Sequence, residues 1–375
     1  MRPKVIGFSS INIDEVYHLP HIVRPGETLS STGRQQNAGG KGTNASVAAA
    51  RAGAQVYVVG KIGGDGLWVR DVIARAGANV ELVSVMDDTA TGRAIIQVDA
   101  SGENAIFLFP GANHKLTERD AHRAFAQFAR GDWLLLTNET TAVGEAIAQA
   151  HRLGIQVLWN PAPMQNSLLH SHDMTGLVDV LVVNETELVG LAKQFQGAGV
   201  VDSCNEYEAL ARLIMRELRC RVVVATLGRD GCIGLVRRPT TNSHLIPVGG
   251  SSASISIASG SSNDDSDDTC SDDIKVIRME CSPIRIEQVK DTTAAGDVWV
   301  GYFVAELARA QGESPESIGA HAALTPAMVR RAMTNATFAS GISVTRIGAV
   351  PSIPMREEVE AFIRSKRHDG DDDNN

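Results

Sequence analysis

Asp291-Thr292-Thr293-Ala294-Ala295-Gly296-Asp297, followed directly by the apolar run Val298-Trp299-Val300-Gly301-Tyr302-Phe303, is the most informative stretch of the chain. Small residues lead into a helix, and a carboxylate stands in its first turn. The N–H groups of a first turn have no partner within the helix, and the helix dipole places its positive end there. Such a start suits an anion, for example a transferring phosphoryl group. Ala295 and Gly296 leave the backbone open to a phosphate oxygen. Asp297 then lies where a carboxylate can take the proton from an attacking hydroxyl. Taken alone, the segment also reads as an ordinary helix start with a favourable acidic residue. Its surroundings decide between the two.

Outward from this segment, the chain alternates strands and helices. Val5–Phe8 reads as a strand, Gly40 to Gly53 as an Ala-rich buried helix and Gln55–Val59 as a returning strand. Helix 67–76 and strand 80–85 follow. The rhythm resumes with helix 117–129, strand 132–137, helix 142–152, strands 155–159 and 178–183, helices 185–193 and 206–218, and strand 221–226. This pattern predicts an α/β fold with a mainly parallel sheet covered on both faces. Two parts break it. Residues 11–36 do not fit, and Arg93–Val98 with Asn104–Phe109 reads as a hairpin around Asp99-Ala100-Ser101-Gly102-Glu103. Together they predict a small accessory sheet. Residues 249–273, almost wholly Gly, Ser, Asp and Asn, read as a disordered surface insertion, and Asp369–Asn375 as an acidic solvated tail.

The totals narrow the function. At 375 residues the chain has ample length for a large core, and 43% apolar with 21% charged content is ordinary for a globular protein. A formal net charge of −9, with no dense Lys/Arg stripe, argues against nucleic acid as a partner. Five scattered cysteines (Cys204, Cys220, Cys232, Cys270, Cys281) without a CxxC predict reduced thiols. The short Met1-Arg2-Pro3-Lys4 lead predicts no signal peptide, and no stretch approaches a membrane span. A cytoplasmic protein is expected.

Asn37-Ala38-Gly39-Gly40-Lys41-Gly42-Thr43-Asn44 forms a second candidate site. It is not a P-loop, because Gly42 rather than Ser or Thr follows Lys41 and the glycine spacing is wrong. No G-x-G-x-x-G follows the first strand either, which removes the main support for a dinucleotide dehydrogenase. What remains is a pinched glycine turn that opens a helix, with Lys41 and Asn44 available to a polar ligand, or a turn that only lets helix and sheet pack closely. Asn12 and Asp14 lie two apart after the first strand, so on extended backbone both face one side. An amide and a carboxylate placed together suit the vicinal hydroxyls of a sugar.

These pieces, in this order, resemble the ribokinase (PfkB-type) family of carbohydrate kinases. The matching motifs are Ser10-Ile11-Asn12-Ile13-Asp14, Pro25-Gly26-Glu27-Thr28, Gly39-Gly40-Lys41-Gly42-Thr43-Asn44, Gly111-Ala112-Asn113, Asn160-Pro161-Ala162-Pro163, Asn184-Glu185-Thr186-Glu187, Thr226-Leu227-Gly228-Arg229-Asp230-Gly231, Asp291–Asp297 and Val344-Thr345-Arg346-Ile347-Gly348-Ala349-Val350-Pro351-Ser352. The resemblance runs from about Val5 to Phe362. It implies one kinase domain over residues 1–368, a three-layer α/β sandwich with a mainly parallel central sheet. A small β-sheet lid would come from about 11–36 and 93–110, the lid often forming a homodimer clasp.

The resemblance also implies the chemistry, ATP-dependent phosphorylation of D-ribose at O5. Asn12, Asp14, Gly40, Lys41, Asn44 and Glu139 would hold the sugar. Asp297 would be the base, and the backbone of Ala294, Ala295 and Gly296 the anion hole. Asn184, Glu187, Thr226, Gly228, Gly231 and Thr337, with Ala295 and Gly296, would face ATP and its Mg²⁺. Asp291, Thr293, Ser343, Arg346, Gly348 and Ser352 would surround an activating monovalent cation, K⁺. Three positions depart from the family pattern: Trp299 for a phenylalanine, Tyr302 for a small residue, and Thr337 for Asn or His near the adenine. The alternatives are a kinase of the same family acting on 2-deoxyribose, fructose or adenosine, and a non-catalytic sugar or nucleotide sensor. Few aromatic residues (5%) are available to cover a nucleoside base, and a sensor has no need of both Lys41 and Asp297.

Overall fold

In the computed structural model the described residues are 2–164, 172–196, 207–238, 276–282, 284, 286, 288–313 and 324–372, the side chains of 196 and 367–372 excepted. A nine-stranded sheet runs through the molecule. Its strands are Val5–Phe8 (β1), Val56–Gly63 (β4), Val83–Met86 (β5), Trp133–Leu136 (β8), Gln156–Trp159 (β9), Val180–Asn184 (β10), Val222–Thr226 (β11), Cys232–Arg237 (β12) and Val276–Cys281 (β13). Their spatial order is β13-β12-β11-β10-β9-β8-β1-β4-β5. All neighbours from β11 to β5 are parallel, and β12 and β13 add an antiparallel edge.

Two helical layers bury the sheet, and each strand divides its side chains between them. Val5, Trp133, Leu135, Val180, Val182, Val222 and Val224 pack with helices Lys41–Arg51 (α1), Ala295–Glu313 (α7) and Pro326–Ser343 (α8). Ile6, Phe8, Leu134, Leu136, Leu181, Val183, Val223 and Ala225 point the other way. They meet Glu118–Phe125 (α3), Val143–Leu153 (α4), Glu185–Gln196 (α5) and Tyr207–Leu218 (α6). The expected three-layer α/β sandwich is the observed fold.

The elements that broke the rhythm form a second sheet. Asn12–His18 (β2), Gly33–Gly39 (β3), Gly92–Val98 (β6) and Asn104–Phe109 (β7) pair in the order β3-β2-β6-β7. The β6–β7 turn is held by Asp99, whose Oδ1 accepts from Ser101 N–H (2.8 Å), Ser101 Oγ (2.6 Å) and Glu103 N–H (3.1 Å). A buried-edge cluster braces the sheet, with Glu15 accepting from Arg34, Gln36 and Arg93.

Differences from the sequence reading are two further strands, β12 and β13, and shifts at boundaries. The strand expected at 80–85 begins only at Val83, because Asn79 is spent on a bridge to Tyr57 and Val80 turns back to Val83. The helix expected over 117–129 stops at Phe125, where Asp132 takes the Ala129 N–H into a turn (2.9 Å). The lid's first part runs on to Gly39, past residue 36. The last helix continues through Asp372, so the first residues of the expected tail are helical. Residues 249–273 and 373–375 lie outside the described residues. Among the described residues no helix is long and apolar enough to cross a membrane.

Candidate active site at the carboxyl ends of the strands

The chain leaves β1 toward β4 on one side and reaches β8 on the other, so a crevice opens where the strand order reverses. Residues 9–14 follow β1, Glu139 follows β8, and Asn184 and Thr226 end β10 and β11. Every candidate residue on these strands therefore emerges at one edge of the sheet.

Ser10 organises the first corner. Its carbonyl accepts from the Thr43 N–H (3.0 Å) and Thr43 Oγ1 (2.7 Å), and its Oγ accepts from Gly42 N–H (3.1 Å). The Ser10 hydroxyl donates in turn to Glu139 Oε2 (2.6 Å), which also accepts the Lys41 N–H (2.9 Å). The glycines are required by this approach. Gly40 has φ +96°, and a Cβ on it would stand 2.9 Å from the Ser10 carbonyl; one on Gly42 would stand 2.5 Å from Ser9 Cα. The first turn of α1 thus abuts the β1–β2 link, and Lys41 and Asn44 enter the crevice.

Four of the expected sugar residues, Asp14, Lys41, Asn44 and Glu139, converge there around Asp297. Asn44 Nδ2 donates to Asp297 Oδ2 (2.9 Å), and Lys41 Nζ lies 3.9 Å from Asp297 Oδ1. Asn44 Oδ1 is buried and has no hydrogen-bond donor among the described residues, an acceptor open to a ligand hydroxyl. Lys41 sits amid carboxylates. Asp297 raises its pKa most, and, against the cost of burial, Glu139, Glu187 and Asp14 raise it further. Burial pushes Asp14 up to about 7, with Glu139 and Asp297 adding to the rise and Lys41 opposing it. Burial also raises Glu139, Glu187 and Asp297, each against the pull of Lys41 and of local hydrogen bonds. A buried carboxylate with a raised pKa is a better proton acceptor near neutral pH than a solvated one.

Asp297 owes its place to α7. The helix starts at Ala295, after Ala294 with φ +62°, a left-handed conformation that an L-residue seldom adopts. Val298 N–H closes the first helical bond on the Ala294 carbonyl (2.8 Å). Of the three expected anion-hole residues, Ala295 turns its N–H back to the Thr292 carbonyl (3.2 Å). In front of Gly296 a Cβ would meet nothing within 4 Å, so the space before this turn is open.

Toward the sheet's other end, Asn184 and Glu187 cap one another at the start of α5. Asn184 N–H donates to Glu187 Oε2 (3.0 Å), and Glu187 N–H to Asn184 Oδ1 (2.8 Å). Thr226 and Asn184 are register partners, and Gly228 (φ +50°) and Gly231 (φ +91°) make the tight turn into β12. Thr337 reaches the same edge from α8, its Oγ1 3.8 Å from Cys232 Sγ.

The expected cation loop is only partly assembled by side chains. Asp291 joins two segments, with Oδ1 accepting from Thr293 N–H and Oδ2 from Gly348 N–H, both at 2.8 Å. Burial raises its pKa, but these two donors outweigh that and hold it below the usual carboxylate range. Ser343 Oγ and Ser352 Oγ donate to the carbonyls of Ser340 and Ala349, and the Arg346 guanidinium pairs with Glu358 (2.5 Å). Ser343 and Arg346 meet through the backbone (3.0 Å). Among the described residues no group of three or more acidic, His or Cys side chains forms a metal cage.

The sequence profile of the pfkB family carbohydrate kinases matches residues 3–248. Ribokinase of Haemophilus influenzae is 32% identical over 367 residues, covering 97% of this chain and 99% of that protein, so the likeness extends across Asp297. The chain belongs to the pfkB family of carbohydrate kinases. Among solved structures, ribokinase of Cryptococcus neoformans var. grubii serotype A in complex with ADP superposes with a TM-score of 0.71 at 31% identity, covering 96% of this chain and 99% of that one. Ribokinase of Thermotoga maritima gives 0.71 at 28%, covering 97% and 100%.

Within this pfkB-family kinase the departures from the expected pattern are mutually accommodated. Trp299 Nε1 donates to Thr337 Oγ1 (3.1 Å), so the larger ring and the shorter polar side chain satisfy each other. Tyr302 donates its buried hydroxyl to the Pro354 carbonyl (2.8 Å). Two site residues had no assigned part in the sequence reading, Ser10 and Asn113. Asn113 Oδ1 accepts from Ile11 N–H (2.9 Å), and its Nδ2 donates to Asn12 Oδ1 (2.7 Å). That contact uses the carbonyl end of the Asn12 amide and leaves its NH₂ as the free end. Gly92 is what lets the pair close, since a Cβ there would stand 2.3 Å from Asn12 Oδ1. The only sequence signal was the position of both residues inside quoted motifs.

Proposed function

We propose that the protein phosphorylates D-ribose at O5 with ATP. The observation that carries this reading is the buried Asp297 carboxylate at the first turn of α7, within reach of Lys41 and Asn44 and beside Asp14 and Glu139. A proton acceptor, a polar pocket of hydroxyl-binding groups and a helix start suited to phosphate adjoin one another. Likeness at 31–32% identity to two ribokinases, one of them solved with ADP, supports the choice of sugar and nucleotide.

In the proposed mechanism Asn12, Asp14, Lys41, Asn44 and Glu139 orient the sugar, and Asp297 accepts the proton of the attacking hydroxyl. The backbone at Ala294–Gly296 stabilises charge developing on the γ-phosphoryl group, and Lys41 offsets the carboxylates around it. Most of the rate comes from positioning and preorganised electrostatics. Mg²⁺, bound with ATP, would supply charge neutralisation at the phosphates. Asn184 and Glu187 offer it hard oxygen donors of the kind it takes. K⁺ would be held by Asp291 and by backbone carbonyls of Thr293, Ser343, Arg346, Gly348 and Ser352. Its support is the oxygen-rich junction that Asp291 makes between the two loops. The reduced cysteines and the nucleotide substrate suit the cytoplasm, and the exposed lid strand suits a homodimer.

The test is an ADP-release assay with Mg·ATP against ribose, 2-deoxyribose, fructose and adenosine, each with and without K⁺. Preference for ribose with stimulation by K⁺ is expected. Turnover of fructose or adenosine in its place discards the sugar assignment, and no turnover of any sugar discards the kinase mechanism.

A further inference from the structure

Cys232 and Cys281 are directly opposed residues of the antiparallel strands β12 and β13. Opposed residues on such strands have Cα atoms about 4.5–5.5 Å apart, inside the roughly 4.4–6.8 Å that a disulfide spans. No backbone rearrangement is needed to join them. As opposed residues, their side chains stand as neighbours on one face of the sheet. Cys232 is buried, whereas Cys281 is half-buried and lines an open cavity of about 410 Å³ with Ser282, Ile284, Arg330, Thr334 and Phe338. One thiol of the pair is thus reachable and the other is sheltered behind it. The neighbouring Cys232 lowers the Cys281 pKa most, with Thr337, Thr334 and the Arg330 charge adding to the fall against burial, which raises it. A lowered pKa enlarges the share of thiolate, the form that attacks disulfides.

We propose that Cys232 and Cys281 form a redox-active dithiol that closes to a cross-strand disulfide by exchange with a small anionic disulfide such as oxidised glutathione. Cys281 gives its proton to water and its thiolate attacks one sulfur of the small disulfide; the S–S bond breaks, and one small thiolate leaves and takes up that proton from water. Cys232 then loses its proton and attacks the Cys281 sulfur of the mixed disulfide, releasing the second small thiol. Two protein thiols are oxidised and one small disulfide is reduced to two thiols, so electrons and protons balance. Arg330 and Lys366 on the cavity wall outnumber the Glu280 carboxylate there, which pairs with Arg278, and so favour an anionic reagent.

The bond bears on the edge where nucleotide is proposed to bind, a consequence that rests on the reading of Gly228, Gly231 and Thr337 given above. Cys232 directly follows Gly231 and contacts Thr337 Oγ1. Turning its sulfur toward Cys281 removes that contact, and loss of one such hydrogen bond corresponds to roughly a two- to tenfold change in an equilibrium constant.

The experiment treats the native full-length chain with oxidised glutathione, alkylates the remaining thiols and maps the peptides by mass. Expected is a Cys232–Cys281 peptide that dithiothreitol reverses. C232S should stop at a glutathione adduct on Cys281, and C281S should leave Cys232 unmodified. Oxidation confined to other cysteines, or none, overturns the dithiol, and the wild-type map decides this even if a variant folds poorly. KM for ATP is read on the same oxidised sample. A rise of about two- to tenfold with sugar KM unchanged supports the nucleotide consequence. A mapped disulfide with unchanged KM for ATP overturns that consequence while the dithiol stands.

Discussion

Replacing Asp297 by Asn keeps an oxygen that can accept from Asn44 Nδ2 but removes the proton acceptor. A positioned base contributes on the order of 10²–10⁴ in rate. Asp297→Asn is therefore expected to lower kcat by that factor or more while sugar affinity, read by calorimetry without nucleotide, stays nearly unchanged. A variant that keeps most of its kcat removes Asp297 from the role of base. Asp14 makes the pH prediction. With its carboxyl raised to about 7, it holds a proton below that pH and is a charged acceptor for hydroxyls above it. Sugar affinity should then rise with pH, and Kd at pH 6 should be roughly tenfold weaker than at pH 8. Asp14→Asn should flatten the profile. Lys41→Met should move it to higher pH, because Lys41 opposes the rise of Asp14, Glu139, Glu187 and Asp297 alike. Calorimetric titration across pH 5.5–8.5 tests all three proteins, and an unmoved profile in Lys41→Met refutes the coupling.

At the scale of elements, α1 and α7 are held at unusually short range by Gly301, where a Cβ would stand 2.2 Å from the Ala45 carbonyl. α1 carries Lys41 and Asn44, and α7 carries Asp297, so this crossing sets the 2.9 Å contact between Asn44 and Asp297. Gly301→Ala gains about 1 kcal/mol in helix propensity but meets backbone that cannot yield, and overpacking costs about 1–3 kcal/mol. A lower Tm with a disproportionate loss of kcat is expected; an unchanged Tm shows that the helices have room.

The elements themselves were largely legible in the sequence. Buried parallel strands read as Val/Ile/Leu runs, the Asp99–Glu103 turn announced the hairpin, and the small residues before Asp297 announced α7. β12 and β13 are not legible, because β12 is a short run after a glycine turn and its antiparallel partner, the edge strand β13, lies beyond the Gly-Ser-Asp-rich stretch, so neither carries a clear periodicity of its own. Asn12, Asp14, Lys41 and Asn44 were visible as a polar set. The parts of Ser10 and Asn113 were not, since both act by bonding to backbone and side chains far away in the chain.

On the whole molecule, the lid presents an unusual surface. Ile106, Phe107, Leu108 and Phe109 of β7 are 56%, 57%, 44% and 48% exposed on the outer strand of the small sheet. A contiguous apolar edge of this kind marks an interface or an aggregation hazard. If the proposed homodimer uses this edge, Phe107→Glu is expected to leave only monomer in sedimentation velocity, with each chain still folded by circular dichroism. A wild-type chain that sediments as a monomer at micromolar concentration refutes the lid as its contact.

The route of the chain through the small sheet has a bearing on how such kinases can be re-engineered. β2 supplies both a lid strand and the residues Asn12 and Asp14, and β3 runs from the lid straight into Gly40, Lys41 and Asn44. Residues 12–44 are therefore a transferable cassette, since cover and pocket wall travel together. The 92–109 hairpin carries none of the proposed sugar contacts. A chimera that exchanged only that hairpin with a relative is expected to alter the exposed apolar edge and inherit none of the donor's taste in sugars.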